Sequence, residues 1–232
     1  MSTATTIPTS QRNSASWLSR LGPIGTLLSS TKARIGLTIV MVFVLAAIFA
    51  QWVAPGDPKK FVGAINKPPS AEYILGTNPQ GKDVFRQLVW GGRLSLIIGF
   101  GSAFLMTTIA VVVGMIAGYY RGWIDDVLNF IMNLFLVIPA LPLLVLLSAY
   151  LKPGTATIVF ALAITGWAFN GRIVRAQTMS LREKDFVAAA VVSGEPGLKI
   201  IFVHILPNMV NIIVGGFIGA VIYGIMASTG LA

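Results

Sequence analysis

The sequence predicts an all-α, polytopic bundle of transmembrane helices, and three observations carry that prediction. Of its 232 residues 55% are apolar and only 11% charged, against about 25% charged in an ordinary soluble domain. The few charges leave five long charge-free runs, each close to or above the roughly 20 residues that cross a bilayer as a helix. The basic residues, which give a net charge of +9, gather between those runs, where they anchor span ends. Backbone polar groups cannot go unpaired in lipid, so runs of this length are read as helices.

Residues 1–34 carry Arg12, Arg20, Lys32 and Arg34 and no acid. They read as a basic, Ser/Thr-rich amino-terminal segment on the cytoplasmic side. The apolar run that follows, 35–53, exceeds the core of a cleaved signal peptide and is expected to stay as the first span. Residues 54–93 then form an extracytoplasmic loop, and 94–232 the membrane core. Within that core the charge-free runs are 94–120, 127–151, 153–171 and 200–232. The turn "YYRGWIDD" falls inside, "YLKPG" outside, and the 172–199 loop, with Arg172, Arg175, Arg182, Lys184 and Lys199, inside. The outer loop is basic too (Lys59, Lys60, Lys67, Lys82, Arg86, Arg93), so orientation rests on the acid-free amino segment and on 172–199. Five spans put the apolar end "MASTGLA" outside, and a further span is expected beyond it. Gly114 with Gly118, and Gly215 with Gly219, are small-xxx-small pairs suited to close helix packing, within one subunit or between two. Pro139 and Pro142 are expected to kink the third span.

The chemistry in these spans excludes several functions. None carries a charge at its middle, which disfavours a proton- or sodium-coupled carrier. Asp125 and Asp126 sit at the cytoplasmic end of the third span, where acids suit a helix amino end. His204 has neither cysteine nor clustered acids around it for a metal site, and the chain has no cysteine at all. Glu183 and Asp185 read as a charged helix start, not as paired catalytic carboxylates. With no GxxxxGK[ST] motif, no cofactor is expected on this chain, and any ATP with its Mg²⁺ would be used by another. No basic stripe with interleaved aromatics suggests nucleic acid. The polar groups within the spans (Asn129, Asn133, Thr107, Thr108, Thr165, Asn170, Asn211) are uncharged, as suits a pathway for solutes of varied charge.

Two stretches are more specific. The first, "LGTNPQGKDVFRQLVWGGRLSLIIGF" at 75–100, resembles the signature LGT(D/N)xxG(R/K)D, then a glycine and RxSL, of peptide-type permeases of ABC importers. The matching positions are Leu75, Gly76, Thr77, Gly81, Lys82, Asp83, Gly92, Arg93, Ser95 and Leu96. The second, "KDFVAAAVVSGEPGLKIIFVHILPN" at 184–208, is similar to the EAA loop of ABC importer permeases, in which EAA is followed by three residues, a glycine and a Leu-Pro. Ala189, Ala190, Gly194, Leu206 and Pro207 match in type and spacing, whereas Ala188 stands where the family usually has Glu. "RIVRAQTMSLREKDF" upstream also fits the dipeptide and oligopeptide branch.

The resemblance covers about residues 35–232 and implies a type I importer permease, with five of an expected six spans visible. It implies one of two membrane subunits of an ATP-driven importer for short peptides in a prokaryotic plasma (inner) membrane. The implied partners are a second homologous permease, two ATPase subunits and an extracytoplasmic binding protein. Oligosaccharides or nickel are alternative cargoes in the same architecture, and a stand-alone secondary carrier is the rival reading. The resemblance further makes 185–194 a coupling helix docked on an ATPase. Asp185, Ala188, Ala189, Ala190, Gly194, Leu206 and Pro207 would then be its site residues. Ala189 and Ala190 are expected to face the ATPase groove, and Gly194 to end the helix.

Overall fold

The computed structural model describes residues 30–63, 65–150 and 152–230. Arg12 and Arg20 of the amino segment, and the last two residues of the chain, lie outside the described residues. The chain divides into two compact units between Trp90 and Gly91, within one long helix.

The first unit opens with α1 (Thr31–Ile48), prolonged after a one-residue irregularity at Phe49 by the short α2 (Ala50–Val53). Almost every apolar side chain of α1 is exposed within this chain, Val42, Phe43 and Ile48 among them. A helix apolar all round suits lipid. The described residues of 54–83 form no helix, and α3 (Val84–Tyr120), a single helix of 37 residues, follows them. Asp83 caps it: its Oδ1 accepts the backbone N–H groups of Phe85 (2.9 Å) and Arg86 (3.3 Å), two of the orphan donors of the first turn. The start of α3 is also held by Trp90, whose Nε1 donates to the Ala54 carbonyl at 3.0 Å.

The second unit continues α3 and adds α4 (Gly122–Val137), α5 (Ala140–Tyr150), α6 (Thr155–Arg182) and α7 (Asp185–Val192). A last helical run follows: α8 (Gly197–Lys199), a π-turn (Ile200–Ile205), a 3-10 turn (Leu206–Met209) and α9 (Val210–Thr229). Helix α6 is central and packs on α4, α5 and α9. Its approach to α3 is set by glycine. A Cβ on Gly114 would lie 2.6 Å from the Gly171 carbonyl, and one on Gly118 2.6 Å from the Arg175 carbonyl. This small-xxx-small pair is therefore spent on packing within the chain. Helices α3 and α9 touch in the same way, since a Cβ on Gly224 would meet Ser102 Oγ at 2.5 Å. One apolar cluster is built on Met106, Met132, Leu144, Leu162 and Trp167. A second is built on Met115, Val174, Ile200, Ile201, Ile205 and Met209.

The all-α polytopic architecture is as the sequence predicts, with differences in how the spans are drawn. Among the described residues four helical segments are each long and apolar enough to cross a membrane: α1, α3, α6 and 197–229. The expected third span, 127–151, is not one helix. It breaks at Ile138–Pro139 into α4 and α5, because Pro139 cannot donate to the ladder and Ile138 before it is extended, with ψ 126°. Pro142 falls within the first turn of α5, where its missing N–H costs nothing. Helix α3 begins ten residues before the second charge-free run, and α6 continues eleven residues past the fourth, through Arg172, Arg175 and Arg182. Part of the stretch expected as the 172–199 loop is thus helix, as is the end of 54–93.

Candidate functional site

Helix α7 is the eight-residue segment DFVAAAVV between α6 and the last helical run. Asp185 opens it, an acid at the amino end where the helix dipole favours one. Its carboxyl end is a Schellman motif. Gly194 takes φ +75° and donates its N–H to the Val191 carbonyl at 3.0 Å, and Glu195 N–H reaches back to the Ala190 carbonyl at 3.1 Å. The expectation for Gly194 as helix terminator holds, and the reason is its left-handed backbone.

The two faces of α7 differ. Val187 and Ala190, three residues apart, are buried in the cluster of Met115, Val174, Leu181 and Ile201. Asp185, Phe186, Ala188, Ala189, Val191 and Val192 are exposed, Val192 at 88%. Ala190 is only 7% exposed, so the expectation that it shares an outward face with Ala189 is corrected: it anchors α7 to its own chain. Leu206 and Pro207 are not on the free face. They lie in the 3-10 turn, Leu206 packed against the same cluster and Pro207 exposed.

Glu195 follows the glycine turn at once. Its carboxylate accepts from His204 Nε2 at 2.7 Å and from Lys199 Nζ at 3.1 Å. These hydrogen bonds, that of His204 foremost, hold the Glu195 carboxyl below the ordinary carboxylate range. Further ion pairs tie the same end of the unit. Arg121 pairs with Glu183. Arg175 of α6 grips Asp125 of α4 with two parallel bonds, Nε–Oδ1 2.5 Å and Nη2–Oδ2 2.6 Å. Arg182 lies over the Tyr119 ring, 5.6 Å from its centroid. The sequence reading missed the Asp125–Arg175 pair. Its only signal was opposite charge at matching ends of two spans.

A cavity of about 710 Å³ opens where α4 breaks from α5. Residues 135–140 line one side, Thr165, Gly166, Phe169 and Asn170 of α6 another, and Gly215, Gly216, Gly219 and Tyr223 of α9 a third. No charged residue lines it. Of the uncharged polar residues picked from sequence, only Thr165 and Asn170 reach it. The Thr165 hydroxyl is turned back onto the Ala161 carbonyl at 3.0 Å, and Asn170 Nδ2 donates to the Gly216 carbonyl at 3.3 Å. Tyr223 was missed. Gly215 and Gly219 have nothing within 4 Å of a Cβ placed on them, so this second small-xxx-small pair makes no packing contact within the chain.

The signature at 75–96 is a turn and a cap. Asn78 Oδ1 accepts the N–H groups of Gln80 and Lys82, both at 2.9 Å, and Nδ2 donates to Gln87 Oε1 at 2.9 Å. Thr77 Oγ1 accepts from Lys67 N–H at 2.9 Å. Gly76 (φ +72°) has the Lys67 carbonyl 2.3 Å from a would-be Cβ, and Gly81 (φ +67°) has the Phe61 ring at 2.3 Å. Leu75 and Gly92 are exposed, while Arg93 and Ser95 are half-buried on α3. Among the described residues no cluster of His, Asp or Glu could hold a metal.

The sequence is similar to known families and proteins. Residues 110–232 match the family described as "binding-protein-dependent transport system inner membrane component", and 26–69 match the N-terminal TM domain of oligopeptide transport permease C. A dipeptide transport system permease protein of Alkalihalophilus pseudofirmus is 38% identical over 181 residues, 76% of this chain and 58% of the relative. An oligopeptide transport system permease protein of Bacillus subtilis is 35% identical over 182 residues, 78% and 59% respectively. One of Mycobacterium tuberculosis is 38% identical over 172 residues, 73% and 59%. The chain thus spans somewhat under three-fifths of the length of these relatives. With the family match extending over α4 to α9, the broken span, the glycine-ended α7 and the helix that follows it included, the chain belongs to the family of inner membrane components of binding-protein-dependent transport systems.

Proposed function

We propose that the chain forms half of the membrane pathway of an ATP-driven importer of short peptides, and that α7 is the element through which ATPases drive it. The observation that carries this reading is the division of α7 into two faces. Val187 and Ala190 fix it to the chain's own core, while Ala188, Ala189 and Val192 are left exposed and small. A short helix gripped on one face and free on the other suits a socket on a partner and passes rigid-body movement inward. The printed names of the relatives, dipeptide and oligopeptide transport permeases, support the cargo.

In this reading α7, Arg121 and the Asp125–Arg175 pair lie on the cytoplasmic side with the amino segment, and 54–83 lies outside. ATP and Mg²⁺ bind on two ATPase subunits, and this chain is not itself catalytic. ATP closure brings the coupling helices of two homologous permeases together and favours the outward-facing state, and hydrolysis resets it. Each ligand shifts the equilibrium only by its differential affinity for the two states. The uncharged cavity at the α4–α5 break imposes no fixed charge on cargo delivered by the binding protein. The test is uptake of a labelled tripeptide into proteoliposomes holding the complete complex. Uptake is expected to need ATP on the α7 side and the binding protein on the other. Uptake driven by an ion gradient without ATP would overturn the reading in favour of a secondary carrier.

A further inference from the structure

Two weak points lie between α7 and α9. The first is the turn 193–196, with left-handed Gly194 and Pro196, a joint that could flex and absorb movement. The second is Pro207. It has no N–H for the Val203 carbonyl, and the backbone answers by widening to a π-turn over Ile200–Ile205 and tightening to a 3-10 turn after it. One hydrogen-bonded path spans both. Glu195 N–H binds the Ala190 carbonyl at 3.1 Å. The Glu195 carboxylate binds His204 Nε2 across the π-turn at 2.7 Å. Asn208 Nδ2 binds the His204 carbonyl at 2.7 Å, reaching past the proline to the edge of α9. From the far side Gly197 lies under the edge-to-face pair Tyr119–Tyr120, so close that a Cβ would come within 2.9 Å of the Tyr119 ring. The exposed Lys199–Glu195 pair adds little. The half-buried His204 contact is the strong member.

Resting on the reading of α7 as the coupling element, we propose that Glu195 is a positioning residue: with His204 and Asn208 it latches α7 to α9, so that the two move as one body across the Gly194 turn and the Pro207 break. Without the latch an ATPase would still hold α7, and the apolar packing of Val187 and Ala190 on the π-turn would carry its movement to α9 less tightly.

The test uses the complete complex, with partners made cysteine-free, since this chain has no native cysteine. Nitroxides on Lys184→Cys, at the exposed amino end of α7 and outside its docking face, and on Ile218→Cys report the α7–α9 distance, and the same preparations report ATP hydrolysed per peptide imported. The latch predicts a narrow distance distribution in the parent. It predicts a broad one in Glu195→Ala and in His204→Ala, with the ATPase still bound and hydrolysis per peptide raised about tenfold, the weight of one charge-assisted hydrogen bond. Glu195→Gln, which can still accept from His204, should recover most of both. A narrow distribution in both alanine variants, or a broad one with unchanged coupling, overturns the proposal. Failure of the coupling-helix reading would look different: the parent itself would then bind no ATPase. In that case the proposal would be overturned along with it, whatever the distances show.

Discussion

Replacing Gly118 by alanine adds one methyl group at one of the two closest approaches of α3 to α6. That carbon would sit 2.6 Å from the Arg175 carbonyl oxygen and 2.7 Å from Thr178 Cβ. Carbon–oxygen contacts are comfortable from about 3.3 Å, so something must move by roughly 0.7 Å. The obstacle is backbone on one side and a buried β-branched side chain on the other, and neither can swing aside. Overpacking of this kind costs about 1–3 kcal/mol. The shift also bears on Arg175, whose guanidinium must stay in line with Asp125, which places the expected loss toward 3 kcal/mol. Gly219→Ala is the control. Its Cβ meets nothing, and alanine is the better helix former, so the isolated chain should be unchanged or more stable by up to about 1 kcal/mol. The assay is thermal unfolding of the two variants in the same detergent, read by tryptophan fluorescence. Equal midpoints for Gly118→Ala and the parent, or a larger loss for Gly219→Ala, would refute the assignment of the two glycine pairs.

Asp83→Ala removes the cap of α3 and should cost about 1 kcal/mol, read as faster amide exchange in the first turn, with Asp83→Asn close to the parent. Asp125→Ala leaves Arg175, only 23% exposed, without its partner and should cost about 3 kcal/mol in unfolding free energy, partly restored by Arg175→Met in the double variant. For topology, an impermeant thiol reagent on intact cells should label Ser70→Cys and leave Ser180→Cys untouched. The opposite pattern would invert the proposed orientation.

How much of this was legible in sequence follows from what each signal measures. The absence of charge located helices but not their ends. Arg86 and Arg93 lie within α3, and Arg172 and Arg175 within α6, because a helix does not stop where its charge begins. The proline at 139 did announce a disruption, and it is a break between helices. The glycine at 194 announced the end of α7 because few other residues accept φ +75° there. The facing of α7 was hidden. In DFVAAAVV nearly every residue is apolar or alanine, so no periodic contrast tells which side is buried, and Ala190 was placed outward. The Asp125–Arg175 and Glu195–His204 contacts depend on tertiary placement that spacing alone does not encode. The signature at 75–96 pointed to the family, while its physical task, an Asx turn leading into a helix cap, was readable only once Asn78 and Asp83 had partners.

The central claim is that the exposed face of α7 docks on an ATPase, and the amount of ATPase retained by the purified complex of Ala189→Trp tests it most directly. Ala189 is exposed and clear of the buried cluster, so membrane insertion and the fold of this chain should be unchanged. In a socket shaped for a small face, an indole would overpack the contact by about 1–3 kcal/mol. The account predicts ATPase retention reduced by roughly five- to 150-fold at limiting ATPase. Retention equal to the parent, with peptide uptake per ATP also unchanged, would contradict it.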